Sequence, residues 1–197
     1  LLGPDATLFC VGDPNQSIYA FNGADPRLLA GLSISFPELR TIPLEANHRS
    51  TPEIVEAAGA VLPPTDRRAL IATSSTGEIP VISCFPDDRA EARAVAERAL
   101  ELHRPGGRHD ALAVLARTNA QLGLVEEVLA EMGVPSRRLA PDISEAEPTV
   151  PLARQPEVEE EPDGVVLSTF HRAKGLEWPH VVVIGASDGL VPHAAAS

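Results

Sequence analysis

Basic residues, thiols and large aromatics are scarce in this chain, and each shortage narrows its chemistry. Lysine and arginine number 16 against 28 aspartates and glutamates, a formal net charge of −12 over 197 residues. Such a surface repels polyanions, so any nucleic-acid affinity has to come from local cations and from stacking. The two cysteines, Cys10 and Cys84, both sit in apolar, strand-like runs. They read as buried free thiols, with neither a disulfide framework nor a cysteine metal site behind them. Neither a signal peptide nor a long apolar run is present, which predicts a soluble, cytoplasmic protein with no membrane partner. The chain opens on Leu1 instead of methionine and reads as a piece of something longer.

What is present is a hydrophobic content of 44%, enough for a real core. Strand and helix patterns alternate, which predicts an α/β fold with a mainly parallel sheet. Strands are expected at Thr7–Val11, Thr41–Leu44, Ile79–Phe85, Ala111–Ala116, Val165–Ser168 and His180–Ile184. The last is a valine-rich run of the kind found at the centre of parallel sheets. Helices are expected at Pro26–Gly31 and Pro52–Val61, each with proline in its first turn, at Asp87–His103, and at Asn119–Met132 ending on Gly133. Pro63–Gly77 reads as a loop. Apolar positions Ala90, Ala94, Val95 and Leu102 mark the inner face of the third helix, and Phe170 and Trp178 read as core. Residues 140–164 are rich in Pro and Glu and lack periodicity, as a loosely held linker would. Between Asp142 and Asp163 eight carboxylates face Arg154 alone, yet the rest of the chain is still acidic.

The most informative stretch is Val11–Ala24, VGDPNQSIYAFNGA. A buried strand runs into a Gly-Asp-Pro-Asn turn that sets Gln16 at the strand's C-terminal end, where ligands bind in parallel α/β sheets. Tyr19, the only tyrosine, and Phe21 are two residues apart and share a face in an extended segment, where their rings can stack on bases. The plain alternative is a turn followed by two core aromatics.

Two further blocks separate these readings: LEANHRST at Leu44–Thr51 and VVLSTFHRAKGLEWP at Val165–Pro179. In this order the three blocks resemble motifs III, IV and V of superfamily-1 DNA helicases of the UvrD/Rep/PcrA type. LAVLARTNAQ at Leu112–Gln121 resembles that family's intervening strand-turn-helix. The resemblance implies two RecA-like domains of the P-loop NTPase type: the end of the first over residues 1–40, and most of the second over 41–197 with the acidic linker at 140–164. It also implies that the family's large accessory insertion, which falls near the linker, is missing here.

By the same resemblance, Gln16 touches the γ-phosphate of ATP or the attacking water, and its amide can both donate and accept. Arg49 would serve as an arginine finger, a salt bridge at a helix start being the bland alternative. His48 stands where the family more often has an adenine-stacking tyrosine, and Glu177 would bond the ribose, unless it is a structural cap. Thr169 and His171, two apart after a strand, would bond a DNA backbone phosphate or sugar. Lys174 adds a charge and Gly175 a backbone open to close approach, Gly175 being grouped with the nucleotide contacts. Tyr19 and Phe21 would stack on bases. Asn22 replaces the arginine usual beside the DNA, while Arg172 reads as solvated surface. His103, His109, His180 and His193 show no ligand-like spacing, and Arg67-Arg68 and Arg137-Arg138 read as plain surface.

The sequence has no Gly-x-x-x-x-Gly-Lys-Ser/Thr string and no Asp-Glu pair closing a strand. It also stops before the family's last arginine-bearing motif. The ligands of Mg²⁺ are therefore expected outside this chain, and the chain alone is expected to hydrolyse nothing. The implied activity is ATP-dependent 3′-to-5′ movement on single-stranded or partly duplex DNA, in repair or replication, together with the rest of the helicase polypeptide. Two alternatives stand beside it: the motor part of a helicase-nuclease, and a degenerate, non-hydrolysing nucleic-acid-binding module.

Overall fold

The computed structural model describes residues 9–16, 25–67, 69–103, 107–139 and 162–187. It is a mixed α/β structure with parallel sheets, and it divides into two units, Leu1–Val81 and Ile82–Ser197.

In the first unit a 3₁₀ turn, Pro14–Gln16, precedes helix α1 (Pro26–Ser35), one turn longer than the expected Pro26–Gly31. Strand β1 is Ala46–Asn47, helix α2 is Pro52–Val61 as expected, and strand β2 is Ile71–Ala72. β1 and β2 form a two-stranded parallel sheet, so the expected loop 63–77 carries a short strand. Thr51 occupies the N-cap of α2 in extended conformation, and a proline follows it in the first turn. Glu53 Oε2 accepts from the Gly77 N–H at 3.0 Å. That bond, more than any other contact, holds the Glu53 carboxyl below its ordinary range.

Two expected strands are absent, and the described residues of a third are not a strand. Thr41–Leu44 and Ile79–Phe85 have no strand structure, and neither do residues 9–11 of the Thr7–Val11 run. Their apolar side chains are exposed: Phe9, Val11, Ile42, Leu44, Ile79, Val81 and Ile82 among them. An apolar run becomes a strand only where a neighbouring edge receives its N–H and C=O groups, and these runs have no such neighbour among the described residues. Cys10 and Cys84 lie in these unpaired runs and are free but exposed, which corrects the expectation of burial.

The second unit holds the core. Helix α3 is Asp88–Leu102, strand β3 Leu112–Ala116, helix α4 Asn119–Glu131, strand β4 Ser136–Arg138, strand β5 Val165–Thr169 and strand β6 His180–Val183. The four strands form one parallel sheet in the order β4-β5-β3-β6. β5 is buried along its whole length, as its run of β-branched residues predicts for a central parallel strand. β6 instead forms an edge among the described strands, with Val181 and Val183 each 49% exposed, so the valine-rich run is not central here. Phe170 and Trp178 are half-buried, because both follow β5 in the turn and loop outside the sheet.

Two helices cover the sheet through complementary stripes. Ala92, Val95, Ala96 and Ala99 of α3 are buried at the i, i+3, i+4, i+7 spacing of one helix face. The expected face was displaced: Ala90, Ala94 and Leu102 lie at its margin, and only Val95 sits within it. Leu122, Val125, Val128 and Leu129 of α4 meet this stripe and the β3 and β5 side chains Leu112, Val114, Val165 and Leu167. Arg89 ties α3 to α4 through Glu127 at 3.1 Å and Glu131 at 2.6 Å. Asp87 caps α3 by accepting from the Ala90 N–H at 2.8 Å. Gly133, at φ 71, ends the α4 segment in the left-handed region that glycine enters without a Cβ penalty.

α4 starts with a capping box: Thr118 accepts from the Gln121 N–H, and the Gln121 side chain accepts from the Thr118 N–H at 3.0 Å. Thr118→Ala removes one half of this exchange and is expected to cost about 1 kcal/mol. A lowered urea midpoint with an unchanged m-value is the result that checks it.

Candidate nucleotide and nucleic-acid site

In the first unit, Asp13 organises the turn that carries Gln16. Its Oδ1 accepts from the Asn15 N–H at 3.0 Å, and its Oδ2 from Gln16 Nε2 at 3.0 Å. The Gln16 N–H also donates to the Asp13 carbonyl at 3.1 Å, so both ends of Gln16 are held by one residue. Asn15 Nδ2 donates to the Asp66 carbonyl at 3.2 Å, tying this turn to the loop beyond α2. Tyr19, Phe21 and Asn22 lie outside the described residues.

His48 and Arg49 sit between β1 and α2. Asn47 Oδ1 accepts from the backbone N–H groups of Arg49 at 3.1 Å and Ser50 at 2.8 Å, an Asx turn that bends the chain toward the helix. The backbone beside Arg49 is thus held independently of its guanidinium, which is exposed. His48 Nδ1 lies 2.9 Å from Thr73 Oγ1, while the Thr73 N–H donates to the Asn47 carbonyl at 2.9 Å as β2 runs out. Asn47 and Thr73 position these two residues and were not picked out from sequence. The Asn-x-x-Ser-Thr-Pro string at residues 47–52 was the available signal for Asn47. Thr73 needed the parallel pairing of β1 with β2.

In the second unit Thr169 and His171 lie at the C-terminal ends of β3 and β5, the end of a parallel sheet where ligands bind, and Lys174, Gly175 and Glu177 follow on the way to β6, whose His180 pairs with Leu112 at the start of β3. Thr169 is the last residue of β5 and is 8% exposed. The chain then turns over Phe170–Gly175, with the Phe170 N–H donating to the Ala116 carbonyl at 3.1 Å and the Ala173 N–H to the Thr169 carbonyl at 3.0 Å. Gly175 has φ 88, a conformation in which a side chain would be strained. Lys174, Gly175 and Glu177 are exposed, and His171 is half-buried.

Arg117 enters this cluster unannounced. The register that pairs Ala116 with Thr169 brings the residues after each strand side by side. Arg117 Nη1 consequently lies 3.3 Å from both ring nitrogens of His171. Parallel register joins residues 54 positions apart in the chain, which no local pattern reveals. Gln16, His48 and Arg49 thus belong to the first unit, and Thr169, His171, Lys174, Gly175 and Glu177 to the second.

The chain is a mixed α/β protein with polar, cationic and glycine-bearing residues after its parallel strands. The profile of the UvrD-like helicase C-terminal domain matches residues 42–140 and 150–197, and that of the UvrD/REP helicase N-terminal domain matches residues 1–37. The chain belongs to the UvrD-like helicase family. It is 29% identical to the ATP-dependent DNA helicase UvrD2 of Mycobacterium tuberculosis, over 99% of this chain and 40% of that protein. It is 35% identical to the putative ATP-dependent DNA helicase YjcD of Bacillus subtilis, over 68% of this chain and 18% of that protein. It is 34% identical to the ATP-dependent DNA helicase PcrA of Staphylococcus epidermidis, over 65% of this chain and 18% of that protein. The chain therefore spans well under half the length of these relatives. No helix among the described residues is long and apolar enough to cross a membrane.

Proposed function

We propose that this chain is the middle part of an ATP-driven DNA translocase, moving 3′ to 5′ on single-stranded DNA and serving repair or replication. One observation carries the reading: profiles of the N-terminal and C-terminal UvrD-type domains match consecutive parts of the same chain, in the family's order. On this reading residues 1–40 close a first RecA-like domain, and 41–197 form most of a second, with 140–164 as an acidic tether. The alignment to UvrD2 runs over 278 positions, more than the 197 residues of this chain, which supports a tether where that relative carries additional sequence.

Within the motor, Gln16 would report the γ-phosphate of ATP, held in readiness by Asp13. Arg49 would stabilise charge developing on the transferred phosphoryl group. His48 and Glu177 would hold base and ribose, with Gly175 allowing close approach. Mg²⁺, which would neutralise phosphate charge, is assigned to residues outside this chain. Thr169, His171 and Lys174 would meet the DNA backbone at the end of β5, and Tyr19 and Phe21 would stack on bases from the segment that also carries Asn22. A second reading, a non-hydrolysing nucleic-acid-binding module, draws support from His48, whose imidazole already engages Thr73.

Because the chain is acidic, stacking should outweigh phosphate contact. In the full-length protein, Tyr19→Ala and Phe21→Ala are each expected to weaken binding to an oligothymidylate by about 1–3 kcal/mol. Lys174→Ala is expected to reduce the salt slope by about 1. Fluorescence anisotropy across a salt series measures both. Unchanged affinity in both aromatic variants would remove the DNA half of the proposal.

A further inference from the structure

At the opposite end of the sheet from Arg117 and Thr169, three side chains converge that the motor reading does not use. His103 is the C-cap of α3, His109 begins the 3₁₀ turn His109–Ala111 that leads into β3, and Asp163 shortly precedes β5. One ligand atom from each lies within 4.8 Å of the other two. His109 Nδ1 stands 3.2 Å from Asp163 Oδ2. A tetrahedral site with metal–nitrogen bonds near 2.0–2.1 Å spaces its ligand atoms about 3.3 Å apart, so this pair is already at bonding separation.

The carboxylate is also oriented for the purpose. Asp163 Oδ1 accepts from the Asp110 N–H at 3.1 Å, which turns Oδ2 toward His109. The neighbouring Asp110 carboxylate is occupied by Arg108, at 2.8 Å from Nη2 and 3.1 Å from Nε. The His109 side chain is only 9% exposed. The His103 ring stacks on it with centroids 3.7 Å apart and planes 13° from parallel. His103 is exposed, so its ring can swing off this face and turn a nitrogen toward the other two ligand atoms.

We infer that His103, His109 and Asp163 form a binding site for a borderline divalent transition-metal cation such as Zn²⁺. Two imidazoles with one carboxylate suit such a cation better than Mg²⁺ or Ca²⁺, which prefer all-oxygen sets. The three ligands come from the end of α3, the entry to β3 and the entry to β5. The cation would therefore clip the chain where the acidic stretch rejoins the sheet, closing a long loop at little cost to the folded state. The inference stands apart from the nucleotide reading, since none of these residues is assigned there.

The test uses the chain in a Cys10→Ser, Cys84→Ser background, because both thiols are exposed and would compete for zinc. Zn²⁺ is titrated against a chromophoric chelator, and Co²⁺ is added separately to read its d–d absorption. The expected result is one equivalent bound at micromolar or lower Kd. His103→Gln and Asp163→Asn should each weaken it by about ten-fold or more with loss of the Co²⁺ band, and His180→Gln should leave both unchanged. His103 and His180 are exposed, so neither variant should unfold the chain, and thermal unfolding without metal verifies this. Absence of one-equivalent binding below about 100 µM, a loss under about ten-fold in His103→Gln, or an equal loss in His180→Gln overturns the inference.

Discussion

Arg49→Ala in the full-length protein is expected to lower ATP turnover by roughly 10³–10⁵-fold, the range found when an arginine finger is removed. The structure makes this substitution informative. The Arg49 backbone is held by the Asn47 carboxamide, so deleting the guanidinium should leave the turn between β1 and α2 in place. The guanidinium is exposed, so its loss should change the unfolding midpoint little. Arg49→Lys should rescue poorly, since an ammonium is a point charge and cannot supply the planar, two-pronged contact. If Arg49 were only a surface ion-pairing residue, turnover would stay within a few-fold and the motor assignment of this block would fail. A steady-state assay across ATP concentrations separates the two, with kcat carrying the loss.

Leu167→Ala is expected to be the most damaging conservative change to stability, at about 2–5 kcal/mol. Leu167 is 1% exposed at the middle of β5 and packs in the core formed by α3, α4 and β3. Deleting its branched end leaves a cavity between sheet and helices that backbone pairing on both sides of β5 prevents from collapsing. Calorimetry should show the unfolding midpoint reduced by roughly 10–20 °C for a unit of this size. Because β5 carries Thr169 and the turn with His171 and Lys174, partial loss of DNA affinity at temperatures below unfolding is expected as well. A shift of a degree or two would mean that the core is not where the structure puts it.

Legibility from sequence followed the range of the interactions involved. α2, α4 and the start of α3 were readable because caps, first-turn prolines and apolar periodicity act within a turn or two of chain. β3 and β5 were readable because burial on both faces leaves an uninterrupted apolar run. Thr41–Leu44 and Ile79–Phe85 are also largely apolar, yet they form no strand: each carries a proline, Pro43 or Pro80, which cannot donate to a ladder, and pairing depends on a neighbour that composition does not specify. Cys84, in the second of these runs, and Cys10, in residues 9–11, are exposed for the same reason. The expected strand His180–Ile184 is found at His180–Val183, but at an edge among the described strands instead of the centre, since strand order is set by topology.

The candidate site divides along the same line. His171 and Lys174 were visible as residue types in a distinctive string, whereas Arg117 became a neighbour of His171 only through the β3–β5 register. Asn47 was within reach of a turn rule, and Thr73 was not. His103 and His109 were set aside for want of ligand-like spacing. Their third companion, Asp163, is 54 residues beyond His109 and meets it only because β3 and β5 are adjacent.

We propose that the chain supplies part of a motor whose phosphate-binding half lies elsewhere in the polypeptide. The most direct measurement compares ATP hydrolysis by the full-length protein and by the 197-residue chain, with and without single-stranded DNA. Hydrolysis by the full-length protein that rises with DNA, and none by the chain alone, is the predicted result. Hydrolysis by the chain alone would contradict the absence of a phosphate-binding half. No hydrolysis by the full-length protein, with DNA still bound, would contradict the motor and leave a binding module in its place.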